Sequence, residues 1–307
     1  MGPVIIGSTF VDIKGYPHGK YHPSGKNAGR VEFIHGGVCR NIAEDLANLE
    51  LSPTFVSLVD ETSVGTDVLT RLDQHGVRTD YIRRIKGGMG TWLAVFDSHN
   101  DVYAAISSRP DLSPILDILL EQGEEIIAGA DSVLLEIDIN PEIVEEIVRL
   151  CGKHGKQIYA AVSNMTIAME RREALRQVSC FVCNRSEAEL LFSDTFEGED
   201  PDDLAHQLSA AVQAASIPSM VMTLGADGAV WADQEGNSGH CAAWEVPVAD
   251  TTGAGDAFFA GVAAGLTYGK TLAEACEIGT RLAASVVCTR ENTCSNFLPQ
   301  EFGLRKR

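Results

Sequence analysis

Positive charge is scarce in this chain. Its 307 residues carry 43 Asp and Glu against 24 Lys and Arg, a formal net charge of −19. Such a surface repels polyanions, which argues against a nucleic acid or an anionic membrane as partner. An anionic ligand would have to be held by local donors and metal ions, not by the field of the whole molecule. Long apolar runs are missing as well. No stretch reaches the roughly 20 residues that a membrane-spanning helix needs. The opening residues, Met-Gly-Pro-Val-Ile-Ile-Gly, lead directly into a strand pattern without the features of a signal peptide. Of the 8 cysteines, Cys180 and Cys183 have C-x-x-C spacing, but no second pair stands at zinc-finger spacing, so neither a metal nor a redox role is indicated. Most of the cysteines lie in apolar segments, as reduced buried thiols do, and a reduced, cytoplasmic compartment is expected. There is no internal repeat and no long linker. The length suits one large α/β domain over residues 1–307.

What the chain does have is a distinctive late stretch, Asp250-Thr-Thr-Gly-Ala-Gly-Asp-Ala-Phe-Phe-Ala-Gly261. A strand is expected before it, over Cys241–Val248, and a buried helix after it, to about Tyr268. Gly253 and Gly255 allow a tight turn and close approach of the backbone to a ligand. The free N–H groups of the first helical turn then point into the glycine loop, an arrangement that attracts an anion. Asp256 is the odd member of the set, because a carboxylate would repel a phosphate. As structure alone it is a first-turn acid that complements the helix dipole. As chemistry it is a base beside a migrating phosphoryl group, and phosphoryl transfer needs little more than positioning, charge neutralisation and one base.

Earlier in the chain, Val4–Ile13 reads as one buried strand with Asp12 near its end, either a turn former or a ligand for sugar hydroxyls. Gly36 and Gly37 open a helical pattern that runs through Leu49, with Asn41 one turn in, a donor and acceptor suited to a polyol. The segments Thr91–Phe96 and Val102–Ile106 flank Asp97-Ser-His-Asn-Asp101 as a hairpin signal. From Ser113 on, helix and strand alternate, including a helix over 169–177. This predicts a mainly parallel central sheet with helices on both faces and ligands at the C-terminal strand ends. The tail Leu304-Arg-Lys-Arg307 reads as a mobile basic end.

Asp-Thr-Thr-Gly-Ala-Gly-Asp-Ala-Phe resembles the C-terminal signature of the PfkB, or ribokinase-like, sugar and nucleoside kinases, and Gly36-Gly37-Val-Cys-Arg-Asn41 resembles their N-terminal signature. Within that family the first region, above all Arg40-Asn41-Ile42-Ala43, is most similar to pseudouridine kinases. The resemblance implies a ribokinase-like α/β fold with a small β lid from about 12–35 and 88–107. Lids of this kind often meet in homodimers. It implies an ATP-dependent transfer to a primary hydroxyl, the 5′-hydroxyl of pseudouridine, or else to ribose, fructose or adenosine. Asp256 would be the base, with the N–H groups of Gly253, Ala254 and Gly255 around the phosphoryl group. Asp12, Gly36, Gly37 and Asn41 would hold the sugar. Asn184, Thr223, Gly225, Gly228 and Asn292 would contact ATP, Glu187 would hold Mg2+ through water, and Asp250 a monovalent cation such as K+. The segment Ala160-Ala161-Val-Ser163 departs from the family, whose members more often carry Asp or Asn before Pro there. A dinucleotide-binding oxidoreductase fits poorly, because Gly253-x-Gly255-x-x-Phe258 lacks a third glycine and lies far from the first βαβ unit. A ligand sensor that has lost catalysis is the remaining alternative, and retention of Asp256 argues against it.

Overall fold

The computed structural model describes residues 2–97 and 102–304. The expected hairpin turn at 98–101 and the basic end at 305–307 lie outside the described residues. In chain order the strands are β1 (Val4–Ile6), β2 (Phe10–Pro17), β3 (Gly29–Gly36), β4 (Thr54–Asp60), β5 (Ile82–Ile85), β6 (Gly90–Phe96) and β7 (Val102–Ser108). They continue as β8 (Val133–Glu136), β9 (Ile158–Ala161), β10 (Cys180–Asn184), β11 (Ser219–Thr223), β12 (Ala229–Asp233) and β13 (Ser238–Cys241).

Nine of these form one sheet in the order β13-β12-β11-β10-β9-β8-β1-β4-β5. It is parallel from β5 to β11, and β12 and β13 add antiparallel at one edge. The inner strands are largely apolar on both sides, as in Val4–Ile6 and residues 133–135, because both faces are covered. Alternation then divides them between two cores. Val4 and Ile6 join the core under the helices Ser113–Ala128, Pro141–His154 and Pro201–Ala215. Ile5 joins the core under Val38–Asn48, Ser63–His75, Ala254–Thr267 and Leu272–Val287. The last two helices cross with backbone against backbone: a Cβ on Gly261 would lie 2.7 Å from the Cα of Gly279. This is the ribokinase-like α/β architecture, a large, mostly parallel sheet between two layers of helices. Among the described residues no helix is long and apolar enough to cross a membrane.

The remaining four strands make a second sheet, ordered β3-β2-β6-β7. Its two faces differ. Ile13 pairs with Phe33 and Leu93, and Leu93 pairs with Ile106. Phe33, Leu93 and Ile106 from this row are exposed, as is Val31 on β3. The alternate residues Asp12, Lys14, Tyr16 and Trp92 belong to the other face, following the period of two.

Three expectations needed correction. The apolar run Val4–Ile13 is not one strand: the chain leaves the large sheet after Ile6 and enters the small one at Phe10. Glu136 explains the break, since it accepts hydrogen bonds from both the N–H and the hydroxyl of Ser8, at 2.9 and 2.8 Å. The expected strand at Cys241–Val248 ends at Cys241, its first residue. The helix expected over 169–177 is a chain of single turns, Met165–Ala168, Met169–Arg171 and Arg172–Leu175.

Candidate active site

The glycine turn owes its shape to a positive φ. Gly253 sits at φ 85° as the residue before helix Ala254–Thr267, and a Cβ there would come within 2.1 Å of the Asn292 carbonyl oxygen. No side chain caps this helix. The Ala254 N–H, expected in the anion hole, donates to the Thr251 carbonyl at 3.2 Å. The amides of Gly255 and Asp256 make no hydrogen bond among the described residues. Asp250 sits just upstream, where its Oδ1 accepts the Thr252 N–H at 2.9 Å.

Residues from the other end of the chain meet this turn. Gly37, at φ 99°, begins helix Val38–Asn48, again without a side-chain cap. Gly36 makes room for the acid across the strand pair, since a Cβ would lie 2.6 Å from the Asp12 Oδ1. Asn41 donates from Nδ2 to the Asp256 Oδ2 at 2.6 Å. Asp12, Gly37, Asn41, Gly253 and Asp256 all line one cleft of about 510 Å³. Burial pushes the Asp256 carboxyl up to about 6, against the opposing effects of the Asn41 hydrogen bond and the Arg40 charge, and Asp12 adds to the rise. Burial raises Asp12 as well, partly offset by Lys14 and Arg40.

Behind Asn41 lies a polar network that sequence reasoning missed. Arg40 is buried and donates to the side chain of Asn41, to the His35 carbonyl at 2.8 Å, to Asn292 Oδ1 at 3.2 Å and to Glu44 at 2.6 Å. Arg71 closes a two-pronged pair with Glu44. Asn292, assigned by resemblance to the nucleotide, is buried and donates to the His35 carbonyl at 2.7 Å and to Asn41 Oδ1 at 3.2 Å. Its carbonyl is also the atom against which Gly253 packs, so Asn292 fixes both halves of the cleft. Lys14 was missed too. It is only 2% exposed, and its ammonium donates to the Thr252 hydroxyl at 3.3 Å, beside the glycine turn. A buried lysine in a strand of the small sheet has no local sequence signal, because its burial depends on a partner 238 residues away.

The other predicted residues stand apart from that cleft, at the C-terminal ends of β10 and β11, where Asn184 pairs with Thr223. Asn184 and Glu187 form a reciprocal cap: Asn184 Oδ1 accepts the Glu187 N–H at 2.9 Å, and Glu187 Oε2 accepts the Asn184 N–H at 2.8 Å. Glu187 keeps its second oxygen, and burial raises its carboxyl. One spare carboxylate oxygen suits an ion that retains most of its water, as magnesium does. Among the described residues no three His, Cys, Asp or Glu side chains cluster as a ready metal cage. Gly228, at φ 90°, is required by the β12–β13 hairpin, since a Cβ would strike the Cys241 carbonyl at 2.0 Å. Gly225, at φ 64°, borders open space.

The family model for the pfkB family carbohydrate kinases matches residues 3–301. The guanosine-inosine kinase of Exiguobacterium acetylicum is 34% identical over 291 residues, 94% of this chain and 95% of that protein. The pseudouridine kinase of Escherichia coli is 30% identical over 272 residues, 88% and 85% of the two chains. Arabidopsis thaliana ribokinase, solved as a complex with ribose and ATP, superposes with a TM-score of 0.84 at 21% identity, covering 100% of this chain and 99% of that one. With the glycine turn, its acid and the matching fold all in place, the chain belongs to the pfkB family of carbohydrate kinases and is a sugar or nucleoside kinase.

Proposed function

We propose that this kinase transfers the γ-phosphoryl group of ATP to the 5′-hydroxyl of a ribonucleoside. The observation that carries the reading is the shared cleft of Asp12, Asn41 and Asp256 at the head of an uncapped helix. Asp12, Gly36, Gly37 and Asn41 hold the ribose. Asn41 occupies one oxygen of Asp256, and the other has no partner among the described residues. That oxygen takes the proton of the 5′-hydroxyl as the alkoxide oxygen bonds to the γ-phosphorus and the bond to ADP breaks. The free amides of Gly255 and Asp256, with the Gly253 turn, stabilise the charge on the moving group. Asn184, Thr223, Gly225 and Gly228 serve ATP, and Asn292 props the turn from behind. Magnesium, held through water by Glu187, supplies neutralisation of the phosphate charge. Asp250 suits a monovalent cation such as K+.

Two acceptors are favoured by separate observations. The relative at 34% identity is named for guanosine and inosine, and the one at 30% for pseudouridine, which the Arg40-Asn41-Ile42-Ala43 run also supports. We rank guanosine and inosine first, on identity and coverage. Phosphate transfer from ATP to a panel of guanosine, inosine, pseudouridine, adenosine, ribose and fructose tests this. Transfer to ribose or fructose alone would refute the nucleoside reading.

The four-stranded sheet serves as a lid, and its exposed row of Phe33, Leu93 and Ile106 supports a homodimer formed lid to lid. A monomeric mass in solution would remove that part. The eight free cysteines, mostly buried, support a reducing compartment, the cytoplasm.

A further inference from the structure

The cleft continues beyond the sugar residues. A side pocket of about 260 Å³ adjoins it and shares Phe10, Arg109, Glu136 and Ile167 with it. Leu112 and Ile139 add apolar wall. An apolar slot with a few placed polar groups is how small flat ligands are held. The charged groups of the side pocket are Arg109, Glu136 and Asp138, and Asp138 is taken up by Arg109.

Arg109 and Glu136 are both fixed before any ligand arrives. Arg109 donates to Asp138 Oδ2 at 2.7 Å and to Ser163 Oγ at 2.8 Å. Asp138 is itself pinned by the N–H groups of Ser163 and Asn164, at 2.9 and 3.0 Å. A guanidinium has five N–H donors in a planar fork, so several remain for a ligand. Glu136 is 2% exposed, and its Oε2 receives both donors of Ser8. No described residue donates to its Oε1, although the side chain lines both spaces. A carboxylate oxygen with no protein donor at the wall of a cleft is open to a donor from a ligand. Burial and neighbouring Asp138 lift Glu136 to about 7, opposed by Ser8 and Arg109. Arg109 and Glu136 line both the side pocket and the cleft, whereas Asp12, Asn41 and Asp256 line the cleft alone, so the pair stands on the side-pocket side of the sugar residues.

We propose that Arg109 and Glu136 read the nucleobase and select bases that carry a ring N–H next to a C=O. The guanidinium donates to the exocyclic oxygen, as arginine does to the O6 of guanine, and the carboxylate accepts the adjacent N–H. Hypoxanthine, guanine and uracil-type bases present that pair. Adenine and cytosine present the reverse, a ring-nitrogen lone pair beside an amino group, so the carboxylate meets a lone pair and the guanidinium meets a donor. This deepens the nucleoside reading above and rests on it. It also accounts for one site serving relatives named for guanosine-inosine and for pseudouridine, which share this edge.

The test compares kcat/KM of the wild-type protein, at a pH above 7, for inosine, pseudouridine, adenosine, cytidine and ribose. The better of inosine and pseudouridine should exceed adenosine and cytidine by about a hundredfold or more, because a site built for hydrogen bonds rejects partners that leave it unpaired. Glu136→Gln, whose amide can donate as well as accept, should narrow that gap by about tenfold, and Arg109→Lys should narrow it too by losing the planar fork. Adenosine within about threefold of inosine and pseudouridine in the wild type would overturn the proposal, as would an unchanged gap in both variants. Transfer to ribose but to no nucleoside would overturn the nucleoside reading and this pair with it. Equal transfer to all nucleosides would overturn only the pair.

Discussion

Helices Ala254–Thr267 and Leu272–Val287 pack against each other, yet they begin in opposite ways. The second starts at Thr271, whose hydroxyl takes the Glu274 N–H at 3.2 Å while the Glu274 carboxylate returns to the Thr271 N–H at 2.8 Å. The first starts at a glycine with φ 85° and no side-chain cap. Helix Val38–Asn48 begins in the same open manner at Gly37. Capping is therefore available to this chain and is used away from the cleft. The helices after Leu112 and Asn140 also lack a side-chain cap but carry Pro in the first turn, whereas the two open starts at glycine, Gly37 and Gly253, line the cleft. A glycine start forgoes only about a few tenths of a kcal/mol of capping and keeps donors for a ligand.

The contrast can be broken from either side. The largest effect should come from Asp256→Asn, which keeps the open turn and removes the base. Turnover should fall by about 10²–10⁴-fold with ATP binding retained, as steady-state kinetics and a nucleotide titration would show. Near-normal turnover would strip Asp256 of its role. Gly253→Ala attacks the turn itself, forcing a side chain into a left-handed conformation and against the Asn292 carbonyl. A loss of about 1–3 kcal/mol in denaturant-induced unfolding should accompany a drop in kcat. Acidity gives a milder test. With its carboxyl raised to about 6, Asp256 is protonated below that pH and ionised above it. A base must be ionised, so kcat/KM should fall about tenfold per pH unit below 6 and level off above 7. A profile flat down to pH 5 would contradict this. The smallest effect is expected at the capped helix, where Thr271→Ala should cost about 1 kcal/mol of stability and leave kcat unaltered.

How much of this was legible in the sequence depended on distance along the chain. The turn at Gly253–Asp256 is local, and its glycines and acid announce themselves in four consecutive residues. The alternation of helices and parallel strands is equally local, since each element carries its own periodicity. The break between β1 and β2 is not, because the apolar run Val4–Ile13 continues through it. Partners far along the chain hold it where it changes sheets: Glu136, 128 residues from Ser8, and Ser57, whose hydroxyl donates to the Gly7 carbonyl at 2.7 Å. The strand expected over Cys241–Val248 failed for a related reason. Alternation describes a strand's two faces but supplies no neighbour, and the paired register stops at Cys241. Arg40, Glu44 and Asp45 are charged residues of one helix, yet all three are buried. The segment Asn292–Cys294 covers them and supplies partners, including the Cys294 N–H to Asp45 at 2.6 Å. Arg109 and Glu136 share a wall without sharing a motif.

The crossing of Gly261 and Gly279 has a mechanical consequence. With backbone against backbone at that crossing, the two helices act as one stiff plate, and the acid is mounted on its rim. Such a mount cannot swing toward an alcohol, so the alcohol must be delivered to it. Under the proposed function that delivery falls to the four-stranded sheet, which carries Asp12 and meets the turn through Lys14 and Thr252. A bulkier residue at either glycine would act as a wedge, misaligning the acid from a point well outside the cleft.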